Sequence, residues 1–158
     1  MSACKTAETF WHDKDGNRWV RTGDVGRFDA DGFLTLMDRK KDMIISGGFN
    51  IYPSDLEEVL SQHPAVLEVA VVGVPSEQWG ETPVAFVVLQ PAKQVAASLL
   101  KDWTNAQLGK TQRLADLFLI EELPRSAIGK VLKRELRERV KSASQAQAGN
   151  RAASPVQE

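Results

Sequence analysis

Apolar and polar residues alternate along the first third of the chain, and this period of two predicts β-strands. Alternating runs cover residues 25–28 and 33–37, and the Asp-Gly turn between them predicts a hairpin. Another turn at Asp15-Gly16 predicts a short strand pair earlier in the chain. Residues 38–42 are all charged, so we interpret them as an exposed connector between two units.

Strand and helix patterns then alternate up to residue 140. Residues 43–46 and 49–52 predict a hairpin around Gly47-Gly48, and Pro53 opens a predicted helix in which Ser54 and Glu57 have capping-box spacing. Further strands are predicted over residues 66–74, 84–89 and 116–120, and further helices over residues 95–108 and 131–140, with a loop over residues 75–83. This order predicts an α+β fold for residues 43–141, with short sheets covered by helices.

Composition limits the classes of function. The chain has 158 residues, 42% hydrophobic and 26% charged, which is typical of one soluble globular unit or slightly more. The 20 basic residues nearly balance the 21 acidic ones, so the net charge predicts no nucleic-acid partner. A single cysteine excludes an internal disulfide. One cysteine and two histidines, scattered along the sequence, are also too few to predict a zinc site. No apolar run reaches the roughly 20 residues of a membrane span, and the start lacks a secretory signal, so we expect a cytoplasmic protein.

The end of the chain has its own charge pattern. Residues 125–141 carry seven basic and two acidic side chains, which fits either the solvated face of a helix or a basic lip that meets an anion. Residues 142–158 contain little that can be buried, and we predict a disordered tail there.

Two charged residues in the first unit are candidates for nucleotide binding. Asp24 follows Gly23 at a bend after a strand, where a carboxylate can accept two ribose hydroxyls, although most Gly-Asp bends are only turns. Arg39 carries a permanently charged, fork-shaped guanidinium suited to a phosphate or a ribose edge, and it can equally be a plain surface arginine.

Two loops in the second unit are further candidates. Gly47 and Gly48 can simply make a hairpin turn, or they can let the backbone lie against a thin linear ligand where any Cβ would clash. Lys130 ends an irregular, glycine-bearing loop just before a helix. Its ammonium can be solvated there, or it can reach a negative charge that develops during a reaction.

Taken in order, these segments resemble the adenylate-forming superfamily, which includes acyl-CoA synthetases, luciferases and peptide-synthetase adenylation domains. The resemblance covers roughly residues 5–140. It is carried by Arg-Thr-Gly-Asp at 21–24, Asp-Arg-Lys-Lys-Asp at 38–42, Ser-Gly-Gly-Phe-Asn-Ile-Tyr-Pro at 46–53, Leu-Glu-Glu at 56–58 and Leu-Pro-Arg-Ser-Ala-Ile-Gly-Lys at 123–130. Val-Gly-Val-Pro at 72–75 and Trp-Gly-Glu at 79–81 are similar to the fatty acyl- and aryl-CoA ligase branch.

The resemblance implies a function and a set of roles. Family members join a carboxylic acid to AMP, using ATP and Mg²⁺, and then pass the acyl group to coenzyme A, while a small C-terminal domain swings between two poses. It implies that Asp24 holds the ribose diol, Arg39 contacts the nucleotide, Lys41 lies at the hinge and Lys130 serves adenylation. The implied pantetheine path is lined by Gly47, Gly48 and Asn50.

The chain also departs from the family pattern. It contains no glycine-rich phosphate loop, no acyl pocket and no metal-binding carboxylate, and family members are several hundred residues long. We therefore expect residues 1–38 to be the truncated end of a large AMP-binding domain, residues 39–42 the hinge and residues 43–141 the lid.

Three interpretations follow from this departure. The chain could be part of an acyl-CoA ligase that is inactive alone and binds neither ATP, AMP nor CoA tightly. It could be the lid subunit of a split ligase. It could also be a non-catalytic module that binds a nucleotide or a partner.

Overall fold

The computed structural model describes residues 9–151, with side chains described up to residue 143. The chain divides into two compact units, and the division falls between Lys41 and Asp42, inside the charged run. Within the described part, no helix is both long and apolar enough to cross a bilayer.

The first unit consists of two antiparallel strand pairs. Strands β1 (Phe10–His12) and β2 (Arg18–Val20) form one pair, and β3 (Asp24–Phe28) and β4 (Leu34–Arg39) form the other. The β3–β4 hairpin agrees with the alternating pattern, and the β1–β2 pair agrees with the predicted turn at Asp15-Gly16. The expectation that residues 38–42 are all connector is wrong at its start, because β4 continues through Arg39, which pairs with Asp24.

The second unit has the predicted order of strands and helices. Its elements are β5 (Ile44–Ser46), β6 (Phe49–Ile51), α1 (Pro53–Ser61), β7 (Val66–Ser76), β8 (Gly80–Leu89), α2 (Ala97–Gln107), β9 (Asp116–Leu119) and α3 (Lys133–Arg151). The strands form one sheet in the order β6-β5-β8-β7, and β9 pairs with β8. All pairs are antiparallel except β8 with β9, which is parallel.

Apolar residues cover both faces of the long β7–β8 hairpin, which explains its nearly continuous runs of valine. On one face, Val71 and Val87 pack with Leu56 and Leu60 of α1 and Leu100 of α2. The opposite face is covered by α3. A second buried apolar cluster lies between this face and α3, and its residues are Ala70, Val72, Val74, Val84, Phe86, Val88, Leu123 and Leu136. Helices therefore enclose the sheet from both sides, and the predicted α+β lid fold is confirmed.

Three local predictions are wrong. Helix α1 begins at Pro53 as predicted, but its N-cap is Tyr52, so Ser54 is not the cap of a capping box. Residues 75–83 are not all loop, because the β7–β8 pairing extends to Ser76 and Gly80. The tail does not become disordered at residue 142, because α3 continues to Arg151; residues 152–158 lie outside the described residues.

Candidate functional site

The first unit brings Asp24 and Arg39 together. The two residues are direct partners in the β3–β4 register, and Arg39 Nε lies 3.3 Å from Asp24 Oδ1. Gly23 precedes them with a φ of 79°, and its carbonyl accepts a hydrogen bond from Lys40 N–H at 2.8 Å. A β-bulge between Val25 and Gly26 resets the register just after the pair.

This ion pair is open enough to meet a ligand. The Arg39 side chain is 52% exposed and that of Asp24 is 31% exposed, so both keep free hydrogen-bonding groups. A shallow cleft of about 470 Å³ lies beside them, lined by Thr22, Gly23, Arg39, Lys40 and Lys41. Three consecutive cations at its rim favour an anionic ligand, and the neighbouring carboxylate can accept hydroxyl donors.

In the second unit, the glycine pair forms the β5–β6 turn and touches the tip of the β7–β8 hairpin. Gly47 N–H donates to the Trp79 carbonyl at 2.8 Å, and a Cβ at Gly47 would lie 3.0 Å from Trp79 Cε3. Both glycines have positive φ, 56° for Gly47 and 83° for Gly48. The Glu81 carboxylate on β8 also holds the strand that enters the turn, because it accepts a hydrogen bond from Ile45 N–H at 2.9 Å. The conformation and the close approach explain why glycine is needed at Gly47.

A pocket of about 450 Å³ opens beside this turn. It is lined by Ser46, Gly47, Phe49, Ser76, Trp79, Thr82, Lys110, Thr111, Arg113, Leu114 and Ala115. An exposed indole together with two cations is a combination that suits an aromatic base with phosphate groups. Asn50 is exposed on β6 opposite Ile45, but it is not among the lining residues.

Lys130 closes a separate tight turn. Its carbonyl accepts Ser126 N–H at 2.8 Å, and its own N–H donates to Ser126 Oγ at 3.2 Å. Gly129, with φ 79°, donates to the Ser126 carbonyl, and Arg125 pairs with Val131 across the base of the turn. The Lys130 side chain is exposed, and within residues 9–143 its ammonium has no hydrogen bond or ion pair. The backbone is thus fixed while the charge stays available.

Sequence reasoning missed the residues that hold these loops. Arg125 Nη1 donates to the Gly129 carbonyl at 2.7 Å, and Nη2 donates to Glu68 Oε1 on β7 at 2.8 Å. Glu57, which the capping-box pattern misassigned, accepts Val71 N–H at 2.8 Å and Lys133 Nζ at 2.9 Å. Only the position of Arg125 between Pro124 and the Lys130 loop could have drawn attention to it, because its acidic partner, Glu68, lies far away in sequence.

The start of the second unit is tied to α3. Arg137 Nη2 lies 3.0 Å from Asp42 Oδ1, and both side chains are mostly buried. Asp42 directly follows Lys41, so the chain that leaves the charged run is anchored on the helix that follows Lys130.

Family comparison decides what this domain is. Residues 55–130 match the model of the AMP-binding enzyme C-terminal domain. The second unit therefore contains a segment similar to the C-terminal domain of AMP-binding enzymes. The match ends at Lys130 and contains most of α1 and all of the β7–β8 hairpin, α2 and β9. It confirms the resemblance to adenylate-forming enzymes.

Individual proteins agree with this assignment. A 2-succinylbenzoate–CoA ligase of Bacillus cereus (strain ATCC 10987) is 48% identical over 124 residues, covering 78% of this chain and 25% of that protein. The o-succinylbenzoate CoA synthetase of Bacillus subtilis, solved with the acyl-adenylate OSB-AMP, matches with a TM-score of 0.70 and 43% identity, over 79% of this chain and 25% of that one. ATP-bound MatB of Rhodopseudomonas palustris matches with a TM-score of 0.76 and 34% identity, over 87% and 26%. The chain therefore spans about a quarter of the length of these relatives.

The Mg²⁺ that the family uses finds no site among the described side chains. No group of three or more His, Cys, Asp or Glu residues in residues 9–143 could hold a metal ion. We therefore assign no step of the reaction to a metal held by this part of the chain.

Proposed function

We propose that the chain forms the C-terminal part of an ATP-dependent acid–thiol ligase and works with the remainder of such an enzyme. In the first half-reaction, a carboxylate attacks the α-phosphate of ATP, giving acyl-AMP and pyrophosphate. In the second, the thiolate of coenzyme A attacks the acyl carbon and AMP leaves. The acid would be a fatty or aryl carboxylic acid. The observation that carries this proposal is the exposed ammonium of Lys130 on a rigid turn at the end of the matched domain.

Asp24 and Arg39 are proposed to hold the nucleotide. The Asp24 carboxylate keeps acceptor capacity beyond its contact with Arg39, so it can accept the two hydroxyls of a ribose. The half-exposed guanidinium of Arg39 can donate to a phosphate or to the ribose edge. The cationic rim of the cleft, which continues to Lys41, supports an anionic ligand at this place.

Lys130 is proposed to serve adenylation. That step brings a carboxylate and a triphosphate together, so negative charge increases at the reacting oxygens, and a fixed cation lowers the barrier by stabilising it. The hydrogen bonds of the turn hold the Lys130 backbone, so the point from which the flexible side chain extends is fixed before the substrates meet.

The glycine turn is proposed to lie along the path of the thiol. Gly47 and Gly48 present backbone without side chains, which a narrow pantetheine arm requires, and Asn50 on the adjoining strand offers an amide. The neighbouring pocket, with Trp79, Lys110 and Arg113, suits the nucleotide end of the same cosubstrate. Use of Lys130 and of the glycine turn in different steps requires the lid to move, and Lys41 is the proposed hinge.

A hybrid enzyme tests this function. In the hybrid, this chain replaces the aligned segment of the Bacillus subtilis o-succinylbenzoate CoA synthetase. We expect acid-dependent release of pyrophosphate and formation of the CoA thioester, both of which should be lost when the segment is deleted. A folded hybrid that carries out neither half-reaction would overturn the proposal.

Two controls separate the alternatives. If the unlinked chain restores pyrophosphate release when it is mixed with the synthetase that lacks the aligned segment, the chain can act as a separate subunit. Titration calorimetry of the chain alone with AMP and with CoA tests the non-catalytic module, and we expect no tight binding of either because the chain spans only a quarter of the relatives.

A further inference from the structure

A guanidinium links the turn that carries Lys130 to the sheet. Arg125 lies at the base of the turn, where it pairs with Val131. Its Nη1 reaches across the turn to the carbonyl of Gly129, the residue just before Lys130, at 2.7 Å. Its Nη2 reaches Glu68 on β7 at 2.8 Å.

These two contacts define the position of the turn better than the backbone bonds alone. The backbone bonds around Ser126 close the turn on itself, but they do not fix where it stands relative to β7. The guanidinium is planar and presents its donors in a rigid fork. Its simultaneous contacts with Gly129 and Glu68 therefore restrict both the distance and the orientation of the turn relative to β7. A lysine at this position has one nitrogen and cannot reproduce the fork.

The Arg125–Glu68 pair contributes little to the stability of the fold. The two side chains are 43% and 39% exposed, and solvent weakens an ion pair of this kind. Removal of the pair should therefore leave the sheet and helices intact. What changes is the freedom of the turn.

We infer that Arg125 is a positioning residue for Lys130, acting through the Gly129 carbonyl with Glu68 as its anchor. The inference rests on the proposed function, because it assigns Arg125 to the adenylation half-reaction. A displacement of the ammonium by about 1 Å can cost up to a hundredfold in rate, so loss of the fork should slow adenylation selectively. Thioester formation does not use Lys130 and should be unaffected.

The first experiment uses the full chain alone and measures amide hydrogen exchange by NMR. In Arg125→Met, the amides of Gly129 and Lys130 should exchange about tenfold faster, because the turn opens more often. The amide of Val87 in β8 should be unchanged. The matched control is Arg134→Met, which removes an 85% exposed arginine from α3 and should leave all three amides unchanged. Unchanged exchange in the turn of Arg125→Met would overturn the inference.

The second experiment uses the hybrid synthetase and measures each half-reaction in a single turnover. We expect Arg125→Met to slow adenylation about tenfold, Arg125→Lys to restore only part of that loss, and thioester formation from supplied acyl-AMP to be unchanged. In a Lys130→Ala background, Arg125→Met should cause no further loss, because it acts only through that lysine. Equal loss in both half-reactions, or losses that multiply in the double variant, would refute a positioning role.

The two proposals can fail separately. If Lys130→Ala does not slow adenylation, or the hybrid is inactive, the proposed function fails while the exchange experiment still decides whether Arg125 restrains the turn. If Lys130→Ala slows adenylation but Arg125→Met does not, the function stands and the positioning role is wrong.

Discussion

The adjacent glycines of the β5–β6 turn offer a matched pair of substitutions, Gly47→Ala and Gly48→Ala. Both residues have positive φ, so a methyl group strains either backbone position. Only Gly47 faces a neighbour: a Cβ there would lie 3.0 Å from Trp79 Cε3, whereas a Cβ at Gly48 would meet nothing within 4 Å.

The expected destabilisation follows from these two differences. Left-handed backbone costs an alanine about 1 kcal/mol, which applies to both variants. Gly47→Ala adds an overpacked contact worth about 1 kcal/mol, at the low end of such effects because the Trp79 ring is 51% exposed and can shift. We therefore expect a loss of about 1 kcal/mol for Gly48→Ala and about 2 kcal/mol for Gly47→Ala.

Urea unfolding of the full chain measures the difference. NMR signals of β7 and β8 amides report on the second unit alone, so unfolding of the first unit does not interfere. With an m-value of about 1.5 kcal/mol/M, the midpoint should fall by about 0.7 M for Gly48→Ala and by about 1.3 M for Gly47→Ala. Equal shifts would refute the contact with Trp79, and no shift in either variant would refute the strain argument.

Three further predictions concern the core, an exposed carboxylate and a half-buried ion pair. Leu100→Ala should cost about 3 kcal/mol in urea unfolding, whereas Leu99→Ala on the same helix, 64% exposed, should cost less than about 0.5 kcal/mol; similar costs would contradict the assigned core. Hydrogen bonds from the Trp19 indole and then from an asparagine side chain lower the pKa of Asp13 to about 2. The contribution of this carboxylate to stability is therefore present above pH 3.8, its ordinary pKa, and is lost as the pH falls through about 2. The Trp19 indole NMR signal should titrate with that midpoint, and a midpoint near 3.8 would contradict the contact. Lys133→Met, which leaves its glutamate partner on α1 without a cation, should lower the free energy of unfolding by about 1 kcal/mol, and an unchanged urea midpoint would exclude a stabilising pair.

Local sequence patterns predicted the fold well because the second unit is built from short-range signals. The valine runs underlie the predictions of β7 and β8, and Pro53 marked the start of α1. Element ends were less predictable. Backbone pairing extended the β7–β8 hairpin past Pro75 and Pro83, residues typical of loops.

The candidate site was predicted residue by residue, but its contacts were not. Sequence indicated Asp24 and Arg39 separately, and only the β3–β4 register places them opposite each other. The anchor of the Lys130 turn could not be found from sequence, because Arg125 and Glu68 are brought together by the packing of a loop on β7. Such pairings depend on tertiary structure, which a single sequence does not display.

Single-turnover kinetics of Lys130→Ala in the hybrid synthetase test the central claim most directly. We predict that acyl-AMP formation falls by about a hundredfold or more, as expected for loss of a preorganised charge, while thioester formation from supplied acyl-AMP is unchanged. The control Lys93→Ala removes an exposed lysine from a loop before α2 and should change neither step. If Lys130→Ala slows both half-reactions equally, or leaves acyl-AMP formation unchanged, Lys130 is not the adenylation lysine.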